Sequence, residues 1–129
     1  MAERIIPASM QVLYDEWHFA PAVKVDNMLY LSGLIGAETD FSVSDDPEKQ
    51  FNRVFDMLEE ILSEAGGSIG SVVEMTTYHV NLSESFPAFT AVKDKRMPEP
   101  HPAWTAIGVD SLLLPGALVE LRAIARLDT

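Results

Sequence analysis

The stretch 46–67 constrains the fold most, because its apolar residues recur at three- and four-residue steps. This spacing places them on one face of an α-helix, and that face has to be buried against another layer of structure. Asp45 or Asp46 is suited to cap the helix, Pro47 to occupy its first turn and the glycine pair 66–67 to end it. The apolar face consists of Phe51, Val54, Phe55, Leu58, Ile61, Leu62 and Ala65.

The remaining segments predict several strands and a second helix. Strands are expected where β-branched and aromatic residues dominate or where apolar and polar residues alternate: a hairpin over 17–32, then 72–82, 104–109 and 118–127. The hairpin should turn at Asp26-Asn27, a turn-forming pair. Ser83 is expected to cap the second helix, which has to end before Pro98.

These elements predict the order β, β, α, β, α, β, β, with both helices on one face of a single sheet. The other face also carries apolar residues, as Ile107 and the stretch 112–114 indicate. We expect a second subunit to cover that face, which makes the protein an oligomer. The 129 residues, 47% of them apolar, are enough for one core, so residues 1–129 are predicted to form a single α+β domain.

Composition argues against several classes of function. A net charge of -11 repels phosphate backbones, so we expect no nucleic-acid partner. The absence of cysteine excludes disulfides, thiolate nucleophiles and cysteine-ligated zinc, and it fits the cytoplasmic location that we expect. No apolar stretch approaches the roughly 18 to 20 residues of a membrane span, and the segment 1–10 does not resemble a signal peptide. We therefore expect neither export nor membrane association.

The three histidines do not predict a metal site. His18, His79 and His101 are far apart, and none has the partner spacing of a zinc motif. His79 is interpreted as a hydrogen-bonded residue of the sheet, with a role as general base as the alternative. His18, between Trp17 and Phe19, either lines a pocket or packs at a subunit edge. We predict no metal and no other cofactor.

Two glycine-containing segments resemble catalytic motifs only in part. Ser32 has one of the two glycines that flank the nucleophile in the sharp turn of serine hydrolases, so it is not predicted to be a nucleophile. The glycines at 66, 67 and 70 follow a helix and lack the lysine of a phosphate-binding loop. They are interpreted as the end of the helix.

Glu120 is the acidic residue of greatest interest, because it lies in the clearly alternating strand 118–125. Glu120 and Arg122 are two residues apart and therefore share one face of the sheet. The pattern alone favours a structural salt bridge between them. The alternative is that Glu120 points into a cleft where its pKa can be raised.

Five short segments, spread over nearly the whole chain, carry a more specific resemblance. They are Asn27 to Gly33, Ala65-Gly66, Val72 to Tyr78, Pro102-Ala103 and Val119 to Ala125. Their order and spacing resemble the RidA (YjgF, endoribonuclease L-PSP-like) family. The resemblance implies a chorismate-mutase-like α+β fold, with a mixed β-sheet and two helices on one of its faces. It also implies a homotrimer with a β-barrel core and small-molecule clefts between adjacent subunits.

The resemblance further implies an activity and site residues. Catalytic members of the family hydrolyse enamines and imines such as 2-aminoacrylate to 2-oxo acids and ammonia. In them an arginine after Pro-Ala holds the substrate carboxylate, and a glutamate on the last strand positions the attacking water. Glu120 matches that glutamate and is the predicted catalytic residue. Ser32 matches the serine of the family's Ser-Gly segment, and Phe19 lies where active members commonly have a tyrosine.

Trp104 occupies the position of the family's carboxylate-binding arginine. An arginine contacts a carboxylate through a charged, two-pronged donor, whereas a tryptophan offers one neutral donor and a large apolar face. We therefore predict an arginine-less subgroup whose cleft binds a less charged metabolite through Trp104, Phe19 and Ser32. Arg122 is a candidate replacement for the missing arginine.

Two other interpretations stay open, and the sequence does not decide whether the protein is an enzyme. The first is an enamine or imine deaminase that uses Glu120 and a water molecule. The second is a non-catalytic, trimeric interaction module. If Trp104 points away from the cleft, or if another guanidinium group fills the same corner, imine hydrolysis becomes the leading interpretation.

Overall fold

The computed structural model describes residues 2–128; Met1 and Thr129, at the ends of the predicted domain, lie outside the described residues. The three α-helices of these residues are α1 (Gln11–Asp15), α2 (Pro47–Glu64) and α3 (Leu82–Arg96). The strands are β1 (Ala2–Ile5), β2 (Ala22–Val25), β3 (Met28–Leu31), β4 (Leu34–Ile35), β5 (Val72–Val80), β6 (Ala103–Val109) and β7 (Val119–Arg126). The sequence pattern missed β1, α1 and β4 as separate elements.

The strands form one mixed sheet in the order β1-β2-β3-β7-β5-β6, and β4 pairs with β7 next to β3. Strands β5 and β6 are parallel, and all other pairs in the described residues are antiparallel. Strands β6 and β7 follow each other in the chain but are not neighbours, because β5 lies between them. The predicted α+β architecture is confirmed.

The predicted hairpin forms between β2 and β3, and its turn lies at Asp26-Asn27 as expected. Asp26 adopts a left-handed conformation with φ 54°, which aspartate tolerates better than most residues. The register pairs Val25 with Met28, so the turn is as short as the sequence predicts.

Helix α2 begins and ends close to the predicted positions. The Asp46 side chain accepts a hydrogen bond of 3.0 Å from the backbone N–H of Glu48 and thereby caps the first turn. Gly66 has φ +88°, a conformation that ends the helix without steric strain. Six residues of the predicted apolar face are fully buried: Phe51, Val54, Phe55, Leu58, Ile61 and Leu62.

Helix α3 begins earlier than predicted, and the assignment of Ser83 as its cap is wrong. The cap position is Asn81, which has φ 54° and makes no capping hydrogen bond through its side chain. A left-handed residue turns the chain sharply out of β5, so Ser83 already lies inside the first helical turn.

The alternation of side chains gives the sheet two different faces. One face is covered by α2 and α3 and contains buried residues such as Met75, Leu121 and Ala123. The opposite face, called the open face below, carries Tyr30 and Ile107, which are 43% and 40% exposed. The stretch 112–114 does not belong to a strand as expected; it lies in the loop after β6. Within residues 2–128, no helix combines the length and apolar character needed to cross a membrane.

Candidate functional site

A cavity of about 120 Å³ lies beside Glu120 and is lined by residues from α1, β4, α2 and the loops at 17–19 and 37–41. Its wall is mostly apolar and aromatic: Leu13, Trp17, Phe19, Phe41 and Met57. The charged groups that line it within residues 2–128 are Glu38, Arg53 and Glu120. We refer to this cavity as the Glu120 pocket.

Glu120 is placed in the pocket by strand pairing. It lies opposite Ile35 of β4 and Tyr78 of β5, in the middle of the sheet. The side chain is half-buried, and this burial raises the pKa of the Glu120 carboxyl group. A raised pKa is what a carboxyl group needs to exchange protons with a substrate near neutral pH.

The salt bridge that the alternating pattern favoured is wrong. Within residues 2–128 the ion pairs are Arg53–Glu38, Arg96–Asp56 and Arg96–Glu59, and the Glu120 carboxyl group makes no hydrogen bond. The side chain instead lies over Gly33. The geometry agrees with the alternative interpretation, because Glu120 lines the pocket and burial raises its pKa.

Gly33 provides the space that the Glu120 carboxyl group occupies. A Cβ atom on residue 33 would lie 2.8 Å from Cδ of Glu120, closer than real carbon contacts allow. Any other residue at position 33 would therefore push the carboxyl group aside. The glycine of the Ser-Gly segment thus has a direct steric role in the pocket.

Ser32 is used structurally and does not line the pocket. Its hydroxyl group donates a hydrogen bond of 2.6 Å to the carbonyl oxygen of Ala20, and its backbone N–H bonds to Pro21. These two bonds attach the 17–21 loop to the end of β3. Ser32 therefore helps to place Phe19, which does line the pocket.

The aromatic wall comes from two loops that meet at the pocket. The rings of Trp17 and Phe41 are 5.4 Å apart at a tilt of 59°. His18, between Trp17 and Phe19, has φ 61° and is exposed outside the pocket lining. Of its two interpretations, the one in which His18 lines this pocket is wrong.

Trp104 lies on the other side of the sheet from Glu120. The register pairs it with buried Met75, so its indole ring points toward α3. The indole N–H donates a hydrogen bond of 2.9 Å to Oγ1 of Thr77, and the ring stacks on Phe86 at 5.6 Å. Within one subunit the structure therefore does not bring Trp104 and Glu120 together. A ligand-binding Trp104 stays a prediction about the cleft between subunits, and the contacts of its ring weigh against it.

His79 belongs to the same buried layer as Trp104. Its Nε2 lies 2.7 Å from Oγ1 of Thr77, and the Phe89 ring packs edge-on at 4.9 Å. Burial lowers the pKa of His79 and so favours the neutral imidazole. The interpretation as a hydrogen-bonded sheet residue is confirmed, and the side chain does not line the Glu120 pocket.

The arginine that lines the pocket is not the one that the sequence predicted. Arg122, the predicted substitute for the missing arginine, is exposed on the open face and does not line the pocket. Arg53, on α2, does line it, and sequence reasoning missed it because it lies beside the apolar stripe among charged residues. Within residues 2–128, no group of three or more histidine, aspartate or glutamate side chains could hold a metal ion.

Comparisons with known proteins extend these observations. The family model described as Endoribonuclease L-PSP matches residues 11–127. The chain is 31% identical over 130 residues to RutC family protein YjgH of Escherichia coli, with 98% of each protein covered. It is 33% identical over 111 residues to the 3-aminoacrylate deaminase RutC of Acinetobacter baylyi, with 83% of this chain and 85% of that protein covered.

The solved structure of protein YJGH superimposes with a TM-score of 0.89 at 29% identity and covers 98% of this chain and 97% of that one. The family model, the relative sequences and the solved structure thus each match this chain over most of its length. The chain belongs to the endoribonuclease L-PSP family, also called the RidA (YjgF) family.

Proposed function

We propose that this protein hydrolyses the carbon–nitrogen bond of enamines or imines, with Glu120 as the catalytic acid and base. The observation that carries the proposal is the half-buried Glu120 carboxyl group, which has no ion-pair partner among residues 2–128 and lines an apolar pocket. A relative whose name states a 3-aminoacrylate deaminase activity supports the same class of reaction.

The chemistry requires one group that first accepts and then donates a proton. Water adds to the C=N carbon of the protonated imine while the Glu120 carboxylate accepts a proton from it, which gives a neutral carbinolamine. The carboxylic acid then gives this proton to the amino nitrogen, ammonia leaves as the C=O bond forms, and the proton released from the hydroxyl group passes through the Glu120 carboxylate to the ammonia. The overall balance is protonated imine plus water to 2-oxo acid plus ammonium, and burial poises Glu120 for both steps.

This proposal replaces metabolite binding by Trp104 and Phe19 as the leading interpretation. The Trp104 ring packs on Phe86, and its N–H is already hydrogen-bonded to Thr77. A different guanidinium group, that of Arg53, lines the same pocket as Glu120. A Trp104 that points away from the pocket and a second guanidinium group in the pocket are the two conditions that favour imine hydrolysis. The geometry supports both, so hydrolysis is favoured over the binding of a less charged metabolite.

We further propose that the protein works as a homotrimer with its substrate bound in clefts between adjacent subunits. Tyr30 and Ile107 leave apolar surface exposed on the open face, and such surface is stabilised when a partner covers it. A sheet with one face open to a partner fits the barrel-centred trimer that the family resemblance implies. Glu120 shares this face, so subunit packing would help to exclude water from its surroundings.

The test generates imines from L-amino acids with an amino-acid oxidase and follows their capture by semicarbazide. Wild-type protein is expected to speed imine loss and so reduce semicarbazone formation. The Glu120→Gln variant should lose at least about a hundredfold in rate, because it can no longer exchange a proton. Gly33→Ala should also be impaired, because the carboxyl group is then displaced from its position over residue 33.

Glu64→Gln is the matched control for the glutamate exchange. Glu64 is the last residue of α2, is exposed and does not line the pocket, so this variant should keep wild-type activity. Purified wild-type protein that fails to accelerate imine loss would overturn the proposal.

A further inference from the structure

Arg53 is the one cation that lines the Glu120 pocket within residues 2–128. It lies in the second turn of α2, and Met57, one turn further along the same helix, also lines the pocket. The position is remote in sequence from the Pro-Ala segment where the family resemblance places a carboxylate-binding arginine. In space, however, it shares a cavity with the proposed catalytic carboxyl group.

The guanidinium group of Arg53 is fixed at one end and free at the other. Its Nε–H donates a hydrogen bond of 3.0 Å to the carbonyl oxygen of Ala37, which sets the orientation of the planar fork. Within residues 2–128 its two terminal nitrogens make no hydrogen bond. An oriented guanidinium with free terminal donors is the geometry that binds a carboxylate through two parallel bonds.

The existing ion pair with Glu38 leaves the terminal nitrogens of Arg53 available for a second anion. The Glu38 carboxylate lies 3.7 Å from Nε of Arg53, which is longer than a hydrogen bond, and its side chain is 67% exposed. Exposed pairs of this kind contribute little because water screens them. The Arg53 side chain itself is only 31% exposed, so a second anion would meet a less hydrated cation.

We propose that Arg53 binds the carboxylate of the substrate and takes the role of the arginine that Trp104 has displaced. This inference rests on the proposed hydrolysis and names its substrate class: imines and enamines of amino acids that carry an apolar side chain. The carboxylate pairs with Arg53, the C=N group reacts at Glu120, and the side chain contacts the aromatic wall at Trp17 and Phe41.

The experiment compares Arg53→Met with Arg122→Met, since Arg122 is the rival guanidinium and lies outside the pocket lining. Binding of the product-like acid 4-methyl-2-oxopentanoate and of its neutral amide is measured by isothermal titration calorimetry. The kcat/KM for the corresponding imine is measured in parallel. Arg53→Met should weaken acid binding and kcat/KM by about tenfold or more, and amide binding by much less. Arg122→Met should match wild type.

Arg53→Lys serves as a second variant, because it keeps the charge but loses the two-pronged donor, and it should retain part of the acid affinity. Circular dichroism checks that each variant is folded, since Arg53→Met also removes the bond to Ala37. Undiminished acid binding by Arg53→Met would overturn the inference, and so would wild-type protein that binds no acid or a loss confined to Arg122→Met.

The outcomes separate this inference from the proposed function. If wild-type protein binds the acid through Arg53 but does not hydrolyse imines, the carboxylate site at Arg53 holds, whereas the hydrolysis and the substrate class that rests on it fail. If Glu120→Gln abolishes hydrolysis while Arg53→Met leaves acid binding and kcat/KM unchanged, the hydrolysis holds and the inference fails.

Discussion

The burial of the Glu120 carboxyl group lowers the stability of the fold while it serves the proposed reaction. Its carboxyl group is half-buried without an ion-pair partner in the described residues, so the charged form is less stable in the folded protein than in water. The raised pKa that results is useful for proton exchange. Gly33 keeps the position available by leaving out the one carbon atom that would displace the carboxyl group.

This arrangement predicts that Glu120→Gln stabilises the protein at neutral pH. Burial raises the folded-state pKa above its ordinary value of 4.5, so wild type loses stability as the pH rises from that value through the raised pKa. The variant has no charge to bury and escapes this loss. Thermal melts of both proteins from pH 4 to pH 8 should show a higher Tm for the variant at pH 7 and converging values toward pH 4. Equal melting temperatures at pH 7 would contradict the prediction.

Among the secondary-structure elements, α2 positions the strand that carries Glu120. Gln50 is 1% exposed, and its side-chain oxygen accepts a hydrogen bond of 2.6 Å from the backbone N–H of Leu118, which immediately precedes β7. Its amide nitrogen donates to the carbonyl oxygens of Gly116 and Ser44, at 3.2 Å and 3.3 Å. One buried amide thus connects the helix to two loops and fixes where the last strand begins.

Replacing Gln50 by leucine should lower the free energy of unfolding by about 2 to 3 kcal/mol. The apolar side chain fits the burial but leaves the N–H of Leu118 and the carbonyl of Gly116 without partners. Urea unfolding followed by circular dichroism measures the change. The control is Lys49→Leu, a similar change at the neighbouring exposed residue, which should cost less than about 0.5 kcal/mol. A similar loss in both variants would show that the buried hydrogen bonds are not the cause.

For the whole molecule, the unequal covering of the sheet is the dominant feature. The face toward α2 and α3 holds a continuous core, whereas the open face has exposed Tyr30 and Ile107 and is not covered by any layer formed by residues 2–128. Apolar side chains on the face of a sheet are stabilised by burial, and copies of the same chain are the partners that symmetry offers most directly.

Ile107→Glu should therefore shift the proposed trimer toward monomer. The new charge would be buried in the assembled protein without a partner, a cost that the separated chain avoids. Light scattering coupled to size exclusion measures the mass relative to the 14.2 kDa chain. Ala91→Glu, an exposed position on α3, adds the same charge away from the open face and should leave the mass unchanged. A wild-type protein that is monomeric would refute the proposed assembly.

The amino-acid sequence by itself determined the features that depend on neighbours along the chain. The start and end of α2, the turn at Asp26-Asn27 and the alternation in β7 follow from capping, backbone preference and period, and all three agree with the structure. The family resemblance also predicted Glu120 and Phe19, and both line one pocket.

Only the tertiary structure decided which side chains meet across the sheet. Strand β4 is two residues long and exists because it pairs with β7, and Trp104 turns toward α3 because β6 pairs with β5 in one particular register. Arg53 enters the pocket from a helix whose local pattern only marks it as charged. Such contacts join residues far apart in the chain, so their geometry depends on register and helix packing, which no local spacing specifies.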